Sequence, residues 1–279
     1  MKKHSIAYFL ITFFVFSLLS FRSDPDEPTN RWAPPAVKVD GSDAEWAEMI
    51  PNYDAESKLM YMVANDSSNL YFLVKSDDQL TQMKIMNAGM EVTLDLNGKK
   101  KGQMGFAFPL PRTKEEQQQE MRESINPVTQ QPDYAQIRKR ALEQMKSMRI
   151  HGFGDLTEDT IPLQNNLGIT AKIGFTKDNM LVYEAVIPLS MISKENLLLG
   201  TAKILAYNFK LNAVPKPEHH TGSGGGNGGG GSYAGGHHHG GYGGGAGGGA
   251  GHGNWNVDRT QMFNERDFWI KQRMAQHAG

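Results

Sequence analysis

The stretch Leu59 to Asp78, LMYMVANDSSNLYFLVKSDD, decides how this chain is read. Leu59-Met60-Tyr61-Met62-Val63-Ala64 and Leu70-Tyr71-Phe72-Leu73-Val74 are short runs rich in aromatic and β-branched residues, which fit a pleated, half-buried surface. Between them lie Asn65-Asp66-Ser67-Ser68-Asn69, residues whose side chains bond their own backbone and favour turns. Two such runs joined by a five-residue polar loop predict a β-hairpin.

The same grammar continues outward. Met90 to Leu96 and Gly102 to Phe108 flank Asn97-Gly98-Lys99-Lys100-Lys101, and predict a second hairpin. In the first of these runs Glu91, Thr93 and Asp95 alternate with Val92, Leu94 and Leu96, as expected when one face is wet and the other buried. Gly168 to Phe175 and Met180 to Ile187 form a third pair across Thr176-Lys177-Asp178-Asn179. Pro188 ends it, because proline cannot donate to a ladder. Ala202 to Leu211 alternates again. Seven or eight strands joined mostly by short turns predict an all-β protein, an antiparallel β-sandwich of the immunoglobulin-like or jelly-roll type.

Two segments interrupt the strands. Residues 113–150 are rich in Gln, Glu, Arg, Lys and Met and read as a helical insertion broken at Asn126-Pro127 and Gln131-Pro132. After the break Asp133 can cap a helix that aligns Tyr134, Ile137, Ala141, Met145 and Met148, a face for packing or for a partner. Residues 222–253 contain 20 glycines in 32 positions. They read as a disordered loop, since glycine loses most entropy on ordering and has no side chain to bury. The segment beyond it carries Trp255, Met262, Phe263, Phe268, Trp269 and Ile270. It is expected to return to the domain as a last strand around Phe268 to Lys271.

The chain opens on Met1-Lys2-Lys3-His4 and the apolar run Ile6 to Phe21, closed by Arg22, Asp24, Pro25, Asp26, Glu27 and Pro28. Residues 1–20 read as a secretory signal. An uncleaved membrane tether is the alternative. Residues 21–36 read as a linker, and 37–274 as one domain. The expected location is extracytoplasmic, periplasmic or secreted. The absence of cysteine excludes disulfides, thiolate nucleophiles and cysteine-ligated metals. The formal net charge is −1, or −3 without Lys2 and Lys3, and no basic block interleaved with aromatics occurs, so nucleic acid is not expected as a partner.

Four phrases then carry a resemblance. They are Val39-Asp40-Gly41-Ser42-Asp43-Ala44-Glu45-Trp46; Asn69-Leu70-Tyr71-Phe72-Leu73-Val74-Lys75-Ser76-Asp77-Asp78; Met90-Glu91-Val92-Thr93-Leu94-Asp95-Leu96; and Tyr183-Glu184-Ala185-Val186-Ile187-Pro188-Leu189. In their wording and order they resemble family 9 carbohydrate-binding modules and their DOMON-like relatives. The resemblance implies a β-sandwich and a glycan as the ligand class. It supplies no motif that places the stacking rings of a sugar site, and the helical insertion and the Gly-rich tract depart from the family's pattern.

Candidate site residues follow from chemistry. Trp255 and Trp269 flank the end of the Gly-rich tract and, with Tyr207, are the ligand-binding candidates, since aromatic faces accept the apolar side of a pyranose. Core packing is the competing role for Trp269, and packing of the first strand is expected for Trp46. His237, His238 and His239 are candidate ligands for a weakly bound transition metal. Asp77, Asp78 and Asp95 are the acids most suited to Ca²⁺, although such residues commonly just form turns. Some DOMON-like relatives hold haem through methionine, but Met83, Met86 and Met90 read as strand and core filler. No G-x-S-x-G, H-E-x-x-H or cysteine nucleophile occurs, and no enzymatic activity is expected. A glycan-binding module is one functional reading. An envelope structural or interaction protein, acting through its surface and Gly-rich loop, is the other.

Overall fold

The computed structural model describes residues 28–154, 156–192, 203–216 and 259–276. The expected hairpin forms from β3 (Leu59–Asn65) and β4 (Asn69–Ser76), with Ala64 opposite Tyr71 and Met60 opposite Lys75. Its turn is held by Asp66, whose carboxylate accepts from the backbone N–H of Ser68 and Asn69 at 2.6 Å each and from the Tyr71 hydroxyl at 2.9 Å.

Two six-stranded sheets build the protein, and every strand pair but one is antiparallel. The first sheet runs β1 (Arg31–Trp32), β3, β4, β10 (Leu181–Pro188), β9 (Thr170–Phe175), with β2 (Asn52–Asp54) also on β3. β1 lies parallel to β3. The second runs β12 (Arg266–Arg273), β11 (Ile204–Leu211), β5 (Met90–Asp95), β6 (Met104–Phe108), β7 (Ser147–Phe153), β8 (Leu156–Pro162). The inner faces meet at Phe72, whose ring is set edge-on to those of Phe106, Tyr207 and Phe209 at 5.7, 5.8 and 6.3 Å between centroids. Offset and edge-on packing suits the ring quadrupole, and each fully buried side chain of this size contributes about 1.5–3 kcal/mol.

The strands number twelve among the described residues, more than the seven or eight expected, and two differences have clear causes. Residues 79–88 form α1 (Gln79–Ala88), which no amphipathic repeat announces. Its signals are its ends: Asp78 caps the Thr81 N–H, and Gly89 closes it at φ +79°. The helical insertion stops early. α2 (Lys114–Glu123) and α3 (Tyr134–Gln144) form, the latter capped by Asp133 as expected. Met148, expected on the helix face, instead sits fully buried in β7, where pairing with β6 outweighs the helical spacing. A last short helix, α4 (Leu189–Ile192), follows β10.

The segment beyond the Gly-rich tract returns as expected: β12 pairs with β11 along its whole length. Its end is clasped to the start of the domain. The Asn30 N–H donates to the Arg273 carbonyl at 2.7 Å, and Asn65 exchanges two hydrogen bonds with the backbone of Ala275 at 2.9 and 3.0 Å. The Val214 N–H donates to the Met262 carbonyl at 2.9 Å, so the chain leaves for the tract and comes back at one place.

Candidate functional site

The outer face of the first sheet is sealed. Met62, Ala64, Tyr71, Leu73 and Val182 point outward from it and are buried under residues 33–49, which lay Ala33, Val37, Trp46 and Met49 across them. Glu184, in the middle of this face, holds the strap. Its carboxylate accepts from the Trp46 indole N–H at 2.8 Å and from the backbone N–H of Gly41 at 2.8 Å and Asp40 at 3.1 Å. Burial pushes the Glu184 carboxyl above its ordinary 4.5, against the pull of these three donors. The Lys75 ammonium pairs with Asp43 of the strap. Where the strap crosses β9 the backbones touch. A Cβ on Gly41 (φ +84°) would lie 2.8 Å from the Gly174 nitrogen, and one on Gly174 only 2.1 Å from the Gly41 carbonyl oxygen. Two facing glycines are the sequence's answer to that crossing.

The outer face of the second sheet has no such cover among the described residues. Strand register sets Trp269, Asn208, Thr93, Gly105 and His151 side by side across five strands. The next row is Asp267, Lys210, Glu91, Ala107 and Arg149. Trp269 is half-buried, and its ring edge (Cη2) lies 3.8 Å from where a Gly102 Cβ would be. Thr93 Cγ2 is 2.7 Å from the same point. The His151 ring covers Gly105, with Cε1 2.9 Å from that residue's would-be Cβ. The Asn208 amide donates to the Asp267 carboxylate at 2.8 Å and the Phe268 carbonyl at 3.2 Å. Chemically, this face offers an indole ring set among hydroxyl, amide, imidazole, carboxylate and ammonium groups.

The candidate residues are therefore distributed as follows. Trp269 stands on the open face. Tyr207 is fully buried, because β11 turns it inward with Phe209. Its hydroxyl accepts from the Asn30 amide at 3.2 Å, and burial pushes its pKa far up, so it presents no surface to a ligand. Trp255, His237, His238 and His239 lie outside the described residues. Trp46 is buried in packing, against the outer face of the first sheet. Met90 is core, and Met83 and Met86 belong to α1 rather than a strand.

Two of the three acids proposed for Ca²⁺, Asp95 and Asp78, are occupied by structural work. Asp95 accepts from the backbone N–H of Asn97, Lys99 and Lys101. Burial pulls its carboxyl up, but these donors and the Lys99 charge outweigh it and hold it below its ordinary 3.8. Asp78 caps α1 and pairs with Lys58 at 2.6 Å. Asp77 is exposed. Among the described residues no group of three or more His, Asp or Glu is arranged to hold a metal ion, and no helix is long and apolar enough to cross a membrane. Sequence reasoning missed Glu184 as the organiser of the strap. The only available signal was a carboxylate inside an otherwise apolar run, VYEAVI.

No protein-family model matches the sequence, and no curated protein is significantly similar to it.

Proposed function

We propose that this protein is an exported, non-catalytic binding module whose ligand is a glycan or a related polyhydroxylated molecule, held on the open face of the second sheet at Trp269. The carrying observation is the asymmetry of the two outer faces. One is closed by a strap fixed through Glu184, while the other leaves a tryptophan among Thr93, Asn208, Lys210 and Asp267. A half-exposed indole accepts the apolar face of a sugar ring, and the neighbouring polar groups suit its hydroxyls. In this reading the sandwich is of the immunoglobulin-like or jelly-roll type. The likeness to family 9 carbohydrate-binding modules then reflects kinship, and residues 1–20 direct export. Polysaccharide pull-downs followed by titration calorimetry test it. Trp269→Ala should abolish binding of whichever polysaccharide the native chain retains. Undiminished binding by a folded Trp269→Ala variant would sink the assignment.

A second reading, an envelope interaction protein, is favoured by one observation. The α2–α3 excursion exposes Met121, Ile125, Val128 and Tyr134, with Val128 88 % and Tyr134 70 % exposed. Cross-linking in intact cells with a photoreactive group at Val128 separates the two. A single specific adduct, together with no polysaccharide retained, would favour interaction over glycan binding.

A further inference from the structure

β12 is the end strand of the second sheet, and among the described residues no strand continues beyond it. Along its outer edge only the far end has a backbone partner there. The Arg273 N–H donates to the Pro28 carbonyl at 2.9 Å, and the Arg273 carbonyl accepts from the Asn30 N–H at 2.7 Å. Both bonds run away from β11, so the two-residue period of a strand turns the N–H and C=O of Asp267, Trp269 and Lys271 to that same side. A row of such backbone groups is a template for another strand, which proteins ordinarily blunt or cover. The open stretch runs from Arg266, where β12 begins, to Gln272, beside the clasp at Arg273. On its inner side Phe268 and Ile270 pack on the core yet stay only partly buried, unlike Tyr207 and Phe209 on the neighbouring β11.

What fits this edge is written in its own sequence. Trp269 is the midpoint of 266–272, so an antiparallel copy related by a two-fold axis fills the whole stretch when Trp269 lies opposite Trp269. Asp267 then meets Lys271 of the second copy, and Lys271 meets its Asp267, so both charge pairs are complementary. Phe268 and Ile270 lie across from one another on the inner side, each covering what the other leaves exposed. Parity agrees as well: 267, 269 and 271 all direct their backbone groups to the edge, so each opposed pair exchanges both its hydrogen bonds. A register shifted by one residue would set outward side chains against inward ones. A shift of two runs either into the clasp at Arg273 or off the start of β12. A ladder this short buries less than a standard interface, which makes the pairing reversible.

We propose that this chain forms a two-fold dimer by pairing β12 with β12 of a second copy, which joins the two open sheets into one and sets the two Trp269 side by side. The pairing does not rest on the glycan reading, and either can fail alone. Sedimentation velocity of the full chain from about 1 to about 200 µM, the range in which so small an interface dissociates, tests it. The native chain should pass from monomer to dimer across that range. Asp267→Lys and Lys271→Asp each oppose like charges twice, and each should weaken dimerisation about tenfold or more. An equimolar mixture of the two restores both attractions and should dimerise as the native chain does. Thermal melts establish that the variants are folded. If Asp267→Lys, which also gives up the Asn208 amide, is not, an introduced cysteine carries the test, because the chain has none of its own. Trp269→Cys should oxidise to a disulfide-linked dimer, since Cα atoms of such an opposed pair lie about 5.5 Å apart. Lys271→Cys should not, being about 13 Å from its counterpart. A chain monomeric throughout, a mixture no more dimeric than its components, or equal cross-linking at 269 and 271 would each overturn the proposal.

Discussion

On the first sheet Tyr71, Leu73 and Val182 point away from the core and are still buried. On the second, Glu91, Thr93 and Lys210 occupy the equivalent outward positions and meet solvent. The difference lies in the strands' own composition. β4 and β10 run LYFLV and VYEAVI, apolar on both sides, and need a cover for each side. β5 runs MEVTLD, apolar on one side only, and needs none there. The strap over residues 33–49 is thus a requirement of β4 and β10, and the open face is where the protein can meet something else.

The largest expected effect breaks the sealed side. Glu184→Ala removes the acceptor of the Trp46 indole and of two backbone N–H groups at once. Buried donors left unpaired make this worth about 3 kcal/mol or more of stability. Urea unfolding measures the loss, and Trp46 emission should shift to the red as the strap loosens. Glu184→Gln sharpens the point through pH. Because the folded carboxyl titrates above its ordinary 4.5, the native state retains a proton that the unfolded chain has released. The contribution of Glu184 is therefore fully present below that value and falls as pH rises through the folded one. The variant should lack that downward slope. Asp95 has the opposite sign: its contribution is present above 3.8 and lost as pH falls through its lowered folded value.

The next effect tests whether the open face is free to vary. Gly105→Ala places a methyl 2.4 Å from the Val92 carbonyl oxygen, which is backbone and cannot swing aside, and 2.9 Å from His151. A loss of about 2 kcal/mol is expected in thermal or chemical unfolding. Thr93→Ala beside it should change stability by no more than about 0.5 kcal/mol. Equal effects would mean that the face is uniformly tolerant and that the close strand approach at Gly105 is not a constraint.

Much of this is legible in the sequence. The polar loop 65–69 announced the first hairpin, the alternation in 91–96 announced a wet face, and Asp133 announced α3. The strap was not legible. Residues 33–49 have no period, and their organising partner lies some 140 positions away in Glu184, a separation at which local pattern carries no information. α1 escaped because its apolar residues do not gather on one side, although Asp78 and Gly89 mark its ends. At the candidate site, Trp269 stands out in the sequence by its place after the Gly-rich tract, and Tyr207 by its chemistry alone. What separates them is strand parity: adjacent strands β11 and β12 put 207 and 269 on opposite faces, since Tyr207 pairs with the inward Ile270 and Asn208 with Trp269.

The Gly-rich tract joins a point just after β11 to one just before β12, and a hydrogen bond from Val214 to Met262 links the two. The closed loop between them holds 47 residues (215–261), and excising 222–253 leaves 15. Loop-closure entropy then predicts a gain of about 1 kcal/mol, from the logarithm of that ratio. A melting temperature equal to or above that of the full chain supports this. A clear fall would show that the tract contributes contacts of its own.

The smallest effect compares one interaction type on the two faces. Lys75 and Asp43 pair on the sealed side, with side chains 19 and 29 % exposed. Lys210 and Glu265 pair at 3.0 Å on the open side, with side chains 32 and 58 % exposed. Exposed pairs gain little, because water screens the attraction and ordering two long side chains opposes it. Lys210→Ala should therefore cost no more than about 0.5 kcal/mol. Lys75→Ala should cost about 1 kcal/mol, since its own side chain and its partner are both more buried than those of the open-side pair. Repeating both in ~1 M salt separates the causes. Screening should erase the Lys210 effect almost completely and leave the packing part of the Lys75 effect in place. If the two respond alike, the strap shields its ion pair no better than open solvent does, and the sealed face is held by Glu184 and apolar contact alone.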